Sequence, residues 1–203
     1  MLTLLKHNHL VFETGHLQFY RSLFVFSQPR STVSEALRSI RTNVLFRLGG
    51  GTNKTLLITS SVPKEGKSFM SSNLSAVLAM GGQRVILVDA DLRRPSLHSL
   101  FELSDEVGLS EVLCGTRTLE SVIQPTHIPN LHLIAAGPIP PNPSELLGSE
   151  TMLNVKRAHK TAQHGDLVAR PLMPKLAGSR SWLRPTNHDH LATVPREEQS
   201  EPI

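Results

Sequence analysis

Cys114 is the one cysteine of the chain, so a disulfide framework is excluded and a reducing, cytosolic setting is the expectation. The lone thiol reads as a small buried side chain rather than a nucleophile. Tyrosine and tryptophan also occur once each, as Tyr20 and Trp182, and aromatic residues make up 4% of the sequence. Apolar residues, at 39%, are few for a globular chain, so part of the length is expected to stay unpacked. No apolar run reaches the ~18 residues that span a bilayer. The first residues lack the charged, apolar and small-residue order of a secretory signal, so a soluble chain is predicted. The net charge of +4 comes from scattered basic residues. None of these runs alternates with aromatics as a single-strand binder requires, and nucleic acid is not an expected partner.

What is present is the material of one domain: 203 residues can bury a core but are short for two. Residues 1–27 mix His7, His9, His16, Phe12, Phe19, Tyr20, Phe24 and Phe26 without a period, and read as a poorly defined lead-in. The histidine spacing matches no familiar metal site. A helix is predicted from Thr32, with Thr32 and Glu35 as a capping box and Val33, Leu37, Ile40, Val44, Leu45 and Leu48 at helical spacing. Gly49-Gly50-Gly51 would stop it. Thr55 to Thr59 reads as a buried strand, the stretch holding Met70, Leu74, Val77 and Leu78 as a helix closed by Gly81-Gly82, and Arg84 to Val88 as a second strand. That order is a βαβ unit.

Farther on, Leu109 to Leu113 reads as a short helix, Leu131 to Ala135 as a third strand, and Asn142-Pro143-Ser144-Glu145 as a helix start. From Met152 to Ile203 there are five prolines, four histidines and one aromatic, with no sustained period. Such a stretch cannot offset its ordering entropy, so a disordered or out-of-frame tail is expected over 152–203, after a partial domain over 28–151.

The residues that carry chemistry follow the first strand. Thr59-Ser60-Ser61-Val62-Pro63-Lys64-Glu65-Gly66-Lys67-Ser68 sits where a strand turns into a helix, which points backbone N–H groups and a positive dipole end at one spot and attracts phosphate. Ser61 holds the first glycine position of G-x-x-x-x-G-K-[ST]; Gly66, Lys67 and Ser68 fit it. Ser61 through Phe69 are therefore candidate nucleotide contacts, with Lys67 on the outer phosphates and Ser68 on Mg²⁺. Asp89 and Asp91 end the second strand, on the rim that parallel strands share with the loop. Oxygen ligands of this kind suit Mg²⁺, and one carboxylate can accept the proton of an attacking hydroxyl. Glu35, Arg38 and Arg41 lie at i, i+3 and i+6. By spacing alone they make a salt-bridged solvent face.

Four segments in this order, Pro29 to Asn43, Pro63 to Ser68, Val88 to Pro95 (Val-Asp-Ala-Asp-Leu-Arg-Arg-Pro) and Gly137 to Leu147, resemble the bacterial tyrosine kinases of capsule and exopolysaccharide biosynthesis. The resemblance covers about residues 27 to 151. It implies an α/β fold, a P-loop NTPase-type parallel sheet flanked by helices and incomplete at the C-terminus, related to septum-site and partitioning ATPases. It implies ATP and Mg²⁺ as cofactors, with Ser68 and Asp89 on the metal and Lys67, Asp89 and Asp91 as catalytic residues. It also makes Glu35, Arg38 and Arg41 match an E-x-x-R-x-x-R oligomerisation motif. Expected partners are a second copy, a transmembrane adaptor or polysaccharide co-polymerase, and a tyrosine on another chain. The implied location is cytoplasmic, held at the inner membrane face through a partner.

Two family features are missing: an apolar strand ending in Asp after the Ser-Glu-Leu-Leu helix, and a C-terminal tyrosine cluster. Neither Asp166 nor Asp189 follows an apolar run, and Lys64 stands where many members have glycine. A change of reading frame near Met152 is the expectation that would explain both; translating the gene in the other two frames past that codon tests it, and finding neither an apolar strand ending in Asp nor a tyrosine-rich end would overturn it. Two other readings stay open: a partitioning-type ATPase switch, and an inactive module that assembles through the Glu-Arg-Arg face.

Overall fold

The computed structural model describes residues 23–48, 55–60, 62, 64–161, 167–171 and 190–191. Ser61, Pro63, the glycine stop at 49–51, the histidines of the lead-in, Asp166, Trp182 and Asp189 lie outside these residues.

Strands β1 (Thr55–Ile58), β2 (Val85–Val88), β3 (Gln124–Pro125), β4 (Leu131–Ile134), β5 (Leu167–Pro171) and β6 (His190–Leu191) form one sheet in the order β3-β4-β2-β5-β1-β6. All neighbouring pairs are parallel except β3 with β4. Successive side chains of a strand face opposite layers, and the apolar runs use both. In β2, Val85 and Leu87 enter one core while Ile86 and Val88 enter the other. Leu131 and Leu133 of β4 share the first core, and Ile134 the second.

Leu23 and helices α1 (Phe24–Ser27), α2 (Thr32–Leu48), α3 (Lys67–Met80) and α4 (Leu97–Leu100) supply the first core, the helices through Val25, Leu37, Leu74, Leu78 and Leu97. On the opposite face, α5 (Leu109–Leu113), α6 (Pro143–Gly148) and α7 (Glu150–Thr161) contribute Leu109, Leu113, Leu147, Met152 and Val155. Every residue of α3 from Ser71 to Ala79 is buried. Small side chains let this helix lie close to its neighbours, and the Ser71 and Ser72 hydroxyls bond to its own carbonyls, those of Ser68 and Phe69, at 3.2 and 3.1 Å.

Several expectations change here. Leu23 to Ser27, assigned to the lead-in, is packed structure, because Leu23 and Val25 are buried and the Val25 N–H donates to Asn73 Oδ1 at 3.1 Å. The cap of α2 is Ser31 rather than Thr32. Ser31 Oγ accepts the Ser34 N–H at 3.2 Å, and Glu35 turns to Arg38 instead of closing a box. At α6, Asn142 makes no cap bond with its side chain; its Nδ2 donates to Glu145 Oε2 at 2.8 Å. Strands β1 and β2 are not neighbours, since β5 pairs with both.

The boundary read at Met152 falls inside α7, with Met152 and Val155 buried, and Leu167–Pro171 fills the slot between β1 and β2. Backbone pairing on two sides secures that strand, and pairing of this kind needs no apolar period. Cys114 is exposed, because it follows α5 at the C-cap instead of lying on the helix's buried side. Among the described residues no helix is long and apolar enough to cross a membrane.

Candidate functional site

Among its described residues, the turn from β1 into α3 is left-handed at Lys64 (φ 66°) and Gly66 (φ 83°). Glycine adopts this region freely and is the natural residue before Lys67. At Lys64 the same conformation costs an L-residue about 1–2 kcal/mol, which accounts for the preference for glycine that the resemblance pointed to. Glu65 tightens the turn by accepting the Val62 N–H on Oε2 at 3.1 Å.

Lys67 opens α3, and its half-buried side chain folds back over the loop. Its Nζ donates to Ser60 Oγ at 2.9 Å and reaches the Val62 carbonyl at 3.5 Å. The cation is thus held at the mouth of the turn, beside the N-terminal end of a 14-residue helix. Phe69 is 42% exposed and meets the Phe24 ring edge-on, centroids 5.9 Å apart.

On the same rim, Asp89 is almost wholly buried, at 1% exposure. Its Oδ2 accepts the N–H groups of Ser96 and Leu97, both at 3.0 Å, and its Oδ1 that of Asp91 at 3.2 Å. Burial raises its pKa above the ordinary carboxyl value, the three N–H bonds oppose that rise, and the Asp91 charge adds to it. Asp91 is half-buried and its Oδ1 accepts the Arg94 N–H at 3.1 Å. Arg93 Nη2 donates to Ser144 Oγ at 2.8 Å, tying the acidic loop to α6. Ser96 Oγ lies 3.2 Å from Ser68 Oγ and joins that loop to the phosphate loop.

Of the donors expected for Mg²⁺, Ser68 and Asp89 are linked through Ser96, whose Oγ lies 3.2 Å from Ser68 Oγ and whose N–H donates to Asp89 Oδ2, and the Asp91 N–H donates to Asp89 Oδ1. Hydroxyl and carboxylate oxygens are the chemistry Mg²⁺ takes, with phosphate and water completing its shell; among the described residues no group of three or more His, Cys, Asp or Glu residues gathers. A desolvated carboxylate is also the group that a cation stabilises most.

Glu35, Arg38 and Arg41 lie apart from this rim. Arg38 Nη1 pairs with Glu35 Oε1 at 2.5 Å, and Nη2 donates to the Pro29 carbonyl at 2.8 Å. Arg41 Nη1 reaches the Val77 carbonyl in the last turn of α3 at 3.3 Å, where a cation is favoured by the helix dipole. Sequence reasoning quoted Ser60 within the candidate loop without giving it a contact, and missed Ser96 and Asn73. Ser96 is a polar residue directly after the acidic motif, a signal that could have found it; Asn73, inside a helix, gave none.

No family model matches the chain. It is 40% identical over 157 residues to the tyrosine-protein kinase YwqD of Bacillus subtilis, a match that takes in 77% of this chain and 65% of the relative's length. Among solved structures, the kinase domain of Escherichia coli tyrosine kinase ETK superposes with a TM-score of 0.74 at 34% identity, over 88% of this chain and 69% of that one. The chimerical protein CapA2B2 gives a TM-score of 0.72 at 31% identity, over 88% and 78%.

Proposed function

We propose, for a chain that belongs to the bacterial tyrosine kinase family, that it binds ATP with Mg²⁺ and transfers the γ-phosphoryl group to a tyrosine hydroxyl of another chain in exopolysaccharide or capsule assembly. The observation that carries this is the meeting, at one rim of the sheet, of Lys67 folded over its loop and the buried Asp89 loop, joined through Ser96 and Ser68. Lys67 Nζ and the backbone N–H groups from Gly66 onward bind the phosphates. Ser68 and Asp89 hold the metal, which neutralises charge on the phosphates when bound. Asp91 accepts the hydroxyl proton as the new O–P bond forms and the bond to the ADP oxygen breaks. Ser61, Val62, Pro63, Lys64, Glu65 and Phe69 complete the nucleotide contacts, and Glu35, Arg38 and Arg41 face a second copy. A transmembrane adaptor or co-polymerase brings the chain to the inner membrane face.

Calorimetric titration with ATP and Mg²⁺ tests the reading. Wild type binds, and Lys67→Met loses detectable binding; equal affinity in the two proteins refutes the assignment. With a tyrosine-bearing acceptor chain present, label from the γ-phosphate is expected on tyrosine. Label released only to water selects a partitioning-type ATPase switch instead.

A further inference from the structure

Residues 89 to 97 wind around a single carboxylate. Asp89 takes three backbone N–H groups, from Asp91, Ser96 and Leu97, and this fixes the main chain at Ser96. The fixed main chain sets the Ser96 hydroxyl 3.2 Å from Ser68 Oγ, to which it donates. A serine hydroxyl has one proton and two lone pairs. When Ser96 occupies one lone pair of Ser68, the other is left for a cation, and rotation of the Ser68 hydroxyl is restrained.

We propose that Ser96 is a positioning residue for the divalent cation, orienting the metal-binding oxygen of Ser68 and coupling it to the Asp89 loop. The inference rests on the ATP–Mg²⁺ reading of this site. It predicts a role for a residue that touches neither phosphate nor reacting atoms. Orientation of a ligand by a neighbouring hydrogen bond raises metal affinity without changing the ligand itself.

Titrating ADP into the full chain across a Mg²⁺ series, and separately in EDTA, tests this in wild type, Ser96→Ala and Ser96→Thr. In EDTA the three proteins are expected to bind ADP equally. The Mg²⁺ concentration that gives half of the affinity gain is expected to rise about two- to tenfold in Ser96→Ala, the weight of one neutral hydrogen bond, and to return toward wild type in Ser96→Thr. Ser96 is exposed, so the thermal midpoint should not move, which separates positioning from loss of fold. The same Mg²⁺ dependence in Ser96→Ala and wild type, or a tighter one in the variant, overturns the inference and leaves the nucleotide reading standing. Failure of wild type itself to bind ADP overturns both.

Discussion

At Asp89, burial raises the carboxyl pKa while three backbone N–H groups pull it down. The two effects predict opposite outcomes for Asp89→Asn. Removing a buried charge should stabilise the fold, but an amide has one acceptor oxygen, and the N–H donors lie on both sides of the carboxylate. Whichever way the amide is turned, its NH₂ faces a donor and leaves it unpaired. That costs about 1–3 kcal/mol, so Asp89→Asn is expected to lower stability in denaturant unfolding. Unchanged or increased stability would mean that charge relief is the larger effect. The turn ending in Gly66, Lys67 and Ser68 was legible as a strand-loop-helix element because its residue types recur at fixed spacing between an apolar run and a helical period. The contact of Ser96 with Ser68 was not, because it depends on how a nine-residue loop winds in space, and spacing does not encode that.

Helix α2, strands β1, β2 and β4, and helix α5 all lie within one or two residues of their predicted starts and ends: α2 is long enough to repeat its apolar period, and the shorter elements are apolar runs bounded by polar or glycine residues. Helices α1 and α4, of four residues each, are too short to show a period, and β5 is held by pairing on both edges.

Besides the packing of Leu23 and Val25 and the Phe24–Phe69 contact, one buried polar side chain ties α1 down. Asn73 is 0% exposed; its Oδ1 accepts the Val25 N–H, and its Nδ2 donates to the Phe69 carbonyl at 2.9 Å. It therefore links α1 to the first turn of α3, beside Ser68. Asn73→Leu keeps the volume but strands a buried N–H, costing about 1–3 kcal/mol, and the expected result is a lower unfolding midpoint together with faster amide exchange at Val25. Wild-type exchange at Val25 in the variant would show that α1 is held by the packing of Leu23, Phe24 and Val25 without the Asn73 bond.

At the scale of the whole molecule, the question is whether the Glu35, Arg38 and Arg41 face serves this chain or a second copy. The fold already engages both arginines, through Glu35, the Pro29 carbonyl and the end of α3, so losing either arginine perturbs the monomer as well as any interface. Glu35 discriminates better, because its side chain is 66% exposed and its pair with Arg38 is an exposed one, worth about 1 kcal/mol or less. Charge reversal places a cation opposite whatever arginine a second copy presents, and like charges across an interface cost far more than a surface pair gains. Glu35→Arg is therefore expected to shift sedimentation velocity from an associated species to the 22.3 kDa monomer while the unfolding midpoint stays within a few degrees of wild type. If variant and wild type sediment alike as associated species, the contact lies on another face, and the Glu-Arg-Arg spacing is an intrachain brace.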